Sequence, residues 1–146
     1  MDLSVVKNFT DVIDLGAESL GDRDMIVMGD ERLSWNDMQA RAGRVANALA
    51  AAGVAPQERV AFIDKNSVEY FELACGAACL NAVEVAVNWR LAPPEMAYIL
   101  NDAEAVGLVA HRTLVSVAQE ASALAPSVRY KLVVSDRPDS DSPLLR

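Results

Sequence analysis

Aromatic residues make up only 5% of this 146-residue chain, which holds two cysteines, one histidine and seven glycines. Each scarcity excludes something. Cys75 and Cys79 sit one helical turn apart with no other thiol to pair with, so no disulfide framework exists, and a reducing, cytoplasmic compartment is expected. As metal ligands the two thiols would need two more Cys or His partners; with His111 the only histidine, a packed thiol pair is the expected reading and no metal is assigned. Scattered bases and few aromatics argue against a nucleic-acid surface. No apolar run reaches the roughly 18 residues of a transmembrane helix. Met1-Asp2-Leu3 leads into no basic stretch and apolar core, so no secretory signal is expected. No glycine-rich loop follows any strand-like segment, which removes both the phosphate loop and the dinucleotide fingerprint. A nucleophile elbow around a serine is also missing.

What remains is apolar and acidic. The chain is 52% hydrophobic and 23% charged, which excludes disorder throughout and suits one domain, or part of a larger one. Twenty-one acids against thirteen bases give a formal charge of −8. The excess lies in front: residues 1–31 hold eight acids and two bases, a solvated surface.

Periodicity orders the chain. Phe9, Val12, Ile13, Ala17 and Leu20 form one apolar stripe of a helix over Asn8 to Leu20, capped by Asn8 or Thr10. Met25 to Met28 and Arg32-Leu33 flank Gly29-Asp30 as a small hairpin. Ser34 and Asp37 have capping-box spacing, although Asp is shorter than the preferred Glu. The helix they open carries Trp35, Met38, Ala42, Val45, Ala46 and Leu49 on one face, Arg41, Arg44 and Asn47 on the other, and stops at Gly53. Strands and helices then alternate: strands over Arg59–Ile63, Val83–Val87, Val106–Ala110 and Tyr130–Val134, helices over Val68–Leu80, Pro94–Leu100 and Leu114–Leu124. Connections of helix length imply parallel strands joined by right-handed crossovers. The expected fold is therefore α/β: a mostly parallel sheet with helices on both faces, preceded by an N-terminal helix and a short hairpin. The small residues from Ala74 to Cys79 predict a nearly buried helix, with Gly76 set for close packing. Asp136 to Arg146 has no periodicity and reads as a linker-like tail after a unit over 1–135.

In an open parallel sheet, ligands collect beyond the carboxyl ends of the strands. That rule selects Asp64-Lys65-Asn66-Ser67, Asn88-Trp89-Arg90, His111-Arg112 and Ser135-Asp136. Asn66, Asn88 and Arg90 are the weak substrate-loop candidates; no catalytic and no cofactor-binding residue is assigned. Each has a plainer role to set against binding. Asn66 or Ser67 can cap the next helix, Asn88 can satisfy loop backbone, Arg90 can pair with Glu95, and His111 can begin a helix or face water. Glu84, mid-strand, needs a basic partner if buried and otherwise marks a solvent-facing edge.

Six short signatures stand in a telling order over roughly residues 8–135. Leu33-Ser34-Trp35-Asn36-Asp37-Met38 opens a helix that ends Leu49-Ala50-Ala51-Ala52-Gly53-Val54. Arg59-Val60-Ala61-Phe62-Ile63, Asn66-Ser67-Val68-Glu69-Tyr70, Ala82 to Leu91 and Pro94-Glu95-Met96-Ala97-Tyr98-Ile99-Leu100 follow. Together they resemble the start of the adenylate-forming (AMP-binding) superfamily, in its acyl-CoA synthetase (fatty-acid–CoA ligase) branch. The resemblance implies a parent enzyme that uses ATP and Mg²⁺ to make an acyl-adenylate, then coenzyme A to form the thioester. It also implies that the phosphate-binding Ser/Thr/Gly-rich loop ending Pro-Lys-Gly, the later acidic residues and the catalytic lysine lie outside this chain, which holds no such motif. Asn81 stands where the family usually has Gly, Ala86 where it has Pro, and Gln57-Glu58 where Gly-Asp is common. An Asn tolerates positive φ, so the turn at 81 should survive, while Ala86 should loosen the approach to Asn88.

The first expectation is an N-terminal fragment of an ATP-dependent acyl-CoA ligase for an apolar carboxylate. It should be inactive alone, with no cofactor of its own and with the remainder of the synthetase as partner. The second is a stand-alone interaction module that self-associates or binds a partner through exposed apolar surface. An unrelated small nucleotide or flavin binder is a third, disfavoured by the missing phosphate loop.

Overall fold

The computed structural model describes Ser4 and residues 6–134. The linker-like tail and the pair Ser135-Asp136 lie outside the described residues.

Helix α1 (Phe9–Leu20) starts at a capping box: Asn8 Oδ1 accepts from the Asp11 N–H (3.0 Å) and Asp11 Oδ2 accepts from the Asn8 N–H (3.1 Å). Asn8, not Thr10, is the cap. Strands β1 (Asp24–Met28) and β2 (Glu31–Ser34) pair antiparallel around Gly29, whose φ of 59° suits glycine. Helix α2 (Trp35–Ala52) opens with the Ser34–Asp37 reciprocal pair, so the shorter acid does complete the box. It ends at Gly53 in the left-handed conformation (φ 97°).

The remaining elements are β3 (Arg59–Asp64), α3 (Val68–Cys79), β4 (Val83–Asn88), α4 (Pro93–Asp102) and β5 (Gly107–His111). A 3₁₀ turn (Arg112–Leu114), α5 (Val115–Ala123) and β6 (Tyr130–Val134) complete the described residues. The four strands form one parallel sheet in the order β4-β3-β5-β6. The chain steps outward from β3 to β4, returns across β3 to β5, and continues to β6. Right-handed crossovers in opposite directions place the connecting helices on opposite faces, as the packing shows. Val60, Phe62, Val109 and Val134 meet Val45 and Leu49 of α2 and Leu73 and Ala77 of α3. On the other face Ala61, Ile63, Leu108 and Ala110 meet Met96 and Leu100 of α4 and Ala118 and Ala121 of α5. Covering both faces is why β3 is apolar without alternation: Val60 through Ile63 are all buried. A third cluster, including Ile13, Leu33, Met38 and Cys75, seats α1 and the hairpin on α2 and α3.

Helices α2 and α3 touch closely at Gly76, where an added Cβ would lie 2.4 Å from Val45 Cγ1 and 3.1 Å from the Ala42 carbonyl oxygen. The close packing expected of Gly76 is therefore present. Two other expectations need correction. Arg41 does not stay on the solvent face: its Nη1 reaches 2.6 Å from Oε1 of Glu72, which is 0% exposed. The thiols are not packed as a pair either. Cys75 is buried, with its thiol pushed up to about 11 chiefly by burial, whereas Cys79 is exposed. The two share one face of α3, but Cys75 sits in the cluster with Ile13, Leu33 and Met38 while Cys79 lies one turn further on, at the exposed end of the helix beside Thr10 of α1. Among the described residues no group of His, Cys, Asp and Glu could hold a metal ion, and no helix is long and apolar enough to cross a membrane.

Two non-glycine residues, Gln57 (φ 67°) and Asn81 (φ 57°), occupy the left-handed region at the entrances to β3 and β4. They brace each other: the Gln57 N–H donates to the Asn81 carbonyl (2.6 Å) and Gln57 Nε2 donates to Asn81 Oδ1 (2.9 Å). The turn at Asn81 survives, and the brace sets both strands at one level, so that Arg59 pairs with Val83 and Asp64 with Asn88.

Candidate functional site

Reversal of the winding direction between β3 and β5 creates a topological switch point, the place where open α/β sheets take ligands. The loops after β3, β4 and β5 converge at this carboxyl end. Trp89 stands where the β3 and β4 loops meet. Its half-buried indole packs against the apolar cluster under α4. Lys65 Nζ, from the β3 loop, lies 5.0 Å from the ring centroid, and the Arg90 guanidinium carbon lies 4.5 Å from it. Each cation–aromatic contact at an exposed position contributes about 0.5–1 kcal/mol. The result is a cationic ledge on an acidic protein.

The turn holding this ledge is built by Asn88. Its Oδ1 accepts from the Arg90 N–H (3.0 Å), and its carbonyl accepts from the Leu91 N–H (3.2 Å). Asn88 thus fills the plain backbone-satisfying role, and in doing so aims Arg90 across the indole. Arg90 stacks on Trp89, while Glu95 accepts from the Ala92 N–H (2.8 Å) at the start of α4. The Arg90–Glu95 pair is therefore replaced by a stacked cation and a helix cap. Asn66 is exposed, and the cap of α3 is Ser67, whose Oγ accepts from the Tyr70 N–H (3.2 Å). Of the three loop candidates, the structure brings Asn88 and Arg90 together and leaves Asn66 aside. Reading residue types missed Trp89 and Lys65 as partners. Only the alignment of Asp64 beside Asn88 puts the two loops side by side.

His111 begins the 3₁₀ turn, with Nδ1 2.8 Å from Thr113 Oγ1. Glu84 lies on the edge strand β4, half-buried, and burial raises its carboxyl above the usual range. A cavity of about 80 Å³ lies elsewhere, beneath α5 and lined by Leu108, Val115, Ala118 and Val133 among others.

A triphosphate needs several free backbone N–H groups turned toward one point. The β3 loop does not offer them: the Lys65 N–H donates to Asp64 Oδ1 (2.7 Å), and the Tyr70 N–H is taken by Ser67. The β3 loop thus supplies no glycine-rich cradle of free donors for that group.

A doubly wound α/β unit with a cationic, aromatic ledge at the carboxyl ends of β3 and β4 defines the class. Residues 14–145 match the model of the family described as "AMP-binding enzyme", and the chain belongs to that family. It is 48% identical over 73 residues to the long-chain-fatty-acid–CoA ligase FadD13 of Mycobacterium tuberculosis, covering 50% of this chain and 14% of that protein. A medium/long-chain-fatty-acid–CoA/3-oxocholest-4-en-26-oate–CoA ligase of the same organism is 28% identical over 139 residues, 95% of this chain and 25% of its own length. Among solved structures, the inhibitor-bound N-terminal domain of FACL13 from M. tuberculosis superposes with a TM-score of 0.83 at 31% identity, covering 88% of this chain and 34% of that one. The chain thus spans a quarter or less of the length of these two curated relatives.

Proposed function

We propose that this chain is the N-terminal scaffold of an ATP-dependent acyl-CoA ligase and completes no adenylation alone. The observation that carries the reading is the join of family and loop chemistry. The fold is that of the ligases' N-terminal region, yet the chain carries no glycine-rich phosphate loop, and after β3 the Lys65 N–H is already bonded to Asp64. ATP, Mg²⁺ and coenzyme A belong to the complete enzyme, with an apolar carboxylate as substrate and the cytoplasm as its place. In that enzyme the Lys65–Trp89–Arg90 ledge is the part of this scaffold that faces the ligand-bearing side.

Pyrophosphate exchange with a panel of carboxylic acids tests this. The purified chain should give none, and robust exchange would refute the scaffold reading. A second reading, a stand-alone interaction module, draws support from large apolar side chains left exposed, Tyr98 at 71% and Phe9 at 52% among them. Sedimentation separates the two: a clean monomer that binds no apolar-surface dye counts against the module.

A further inference from the structure

The edge of the sheet at β4 is chemically unfinished. Val83 donates its N–H to the Glu58 carbonyl (2.9 Å), toward β3. Backbone groups alternate sides along a strand, so those of Glu84 and Ala86 and the N–H of Asn88 point away from β3, where no strand pairs with them among the described residues; the Asn88 carbonyl is taken by the Leu91 N–H. The pairing with β3 runs in register from Arg59–Val83 to Asp64–Asn88 without a bulge. Val83–Asn88 contains no lysine and no proline, and the one charge that guards this edge is Glu84.

Glu84 supplies the second observation. Its side chain lies on the α3 face of this edge, half-buried, and Oε1 is buried with no hydrogen-bond partner. Its charge is felt by Tyr70, whose phenol it raises above the ordinary value. Two large apolar side chains nearby in the fold are exposed, Phe71 of α3 at 41% and Val83 of β4 at 43%, the latter on the opposite face of the sheet from Glu84. A buried carboxylate oxygen without a donor is costly, and a base brought to it would relieve the cost.

We propose that the β4 edge is an interaction surface that accepts an extended strand of another polypeptide, with a lysine or arginine of that strand set against Glu84. Strand addition would satisfy the outward N–H and C=O groups, and residues directly opposite across a strand pair come within about 5.5 Å, close enough for the base to reach the carboxylate. A second copy of this chain fits poorly. The six side chains of β4 include no base, so two-fold pairing of β4 with itself would bring carboxylate toward carboxylate.

The test uses isotope-labelled chain and a short blocked peptide alternating threonine and valine around one arginine, with a glutamate-for-arginine control. Amide exchange at Glu84, Ala86 and Asn88 should slow on the order of tenfold, and the arginine peptide should bind on the order of tenfold tighter than its control. Glu84→Gln should abolish that preference. Ala86→Pro, which deletes one outward N–H, should weaken both peptides. If that variant fails to fold, the peptide pair and Glu84→Gln decide alone. Slowing at β6 instead of β4, equal affinity for both peptides, no slowing at all, or protection of the same amides by self-association without peptide would each overturn the proposal.

Discussion

Replacing Arg41 with methionine should remove much of this protein's stability, although Arg41 touches no part of the ledge. Arg41 Nη1 lies 2.6 Å from Glu72 Oε1; Glu72 is fully buried and Arg41 is 18% exposed, while a second acid, Glu31, stands 3.6 Å away at the surface. At an effective dielectric of about 20, charges this close attract by roughly 5 kcal/mol, against a desolvation cost of several kcal/mol per ion. The intact pair therefore adds little net stability, but removing Arg41 takes away the guanidinium that compensates the buried Glu72 Oε1. Arg41→Met should cost about 3–5 kcal/mol by leaving the Glu72 charge in the core. Total stability for a domain is about 5–15 kcal/mol, so the loss would be large. The double variant Arg41→Met/Glu72→Met should recover most of it, because it removes the buried carboxylate and keeps the volume. Urea unfolding of the four proteins closes the cycle. A cost below about 1 kcal/mol for Arg41→Met, or a double variant no better than the single, would refute the reasoning.

Further outcomes follow from the same packing and charges. Gly76→Ala should destabilise by about 1–3 kcal/mol despite alanine's better helix propensity, because the new methyl overlaps Val45; adding Val45→Ala should return part of the loss in a denaturant titration. In the native protein iodoacetamide should alkylate exposed Cys79 and spare buried Cys75, with both modified in denaturant, as mass spectrometry would read. Because burial raises the Glu84 carboxyl, the folded chain holds that proton more tightly than the unfolded chain. Its contribution therefore weakens the fold as pH rises above the ordinary glutamate value of 4.5. Glu84→Gln should accordingly be more stable than the parent at neutral pH, with the difference closing in acid. Asn81→Ala should destabilise by about 1–2 kcal/mol, since alanine keeps the left-handed strain and loses the amide that braces Gln57.

Much of the architecture was legible in one dimension because it rests on local rules. The Asn8–Asp11 and Ser34–Asp37 boxes are satisfied within four residues, Gly53 needs only its own φ, and the apolar runs of β3 and β5 announce burial on both faces. Boundaries moved by a residue or two at α4 and β5. The first turn after β5 became a 3₁₀ helix because His111 caps a tighter start. Family membership, too, was carried by the order of short signatures alone.

Long-range juxtapositions were not legible. Arg41 looks like a surface residue in its own helix, and only the approach of α3, permitted by Gly76, turns it inward to a carboxylate thirty-one positions away. Lys65 and Trp89 look like unrelated loop residues until parallel pairing lays Asp64 beside Asn88 and closes a cation over the indole. Sequence by itself determined which segments would be helix and strand, since those choices depend on periodicity and caps. Tertiary structure alone decided which charges meet, which thiol is hidden and which sheet edge is left open, because each depends on how separate segments pack in three dimensions.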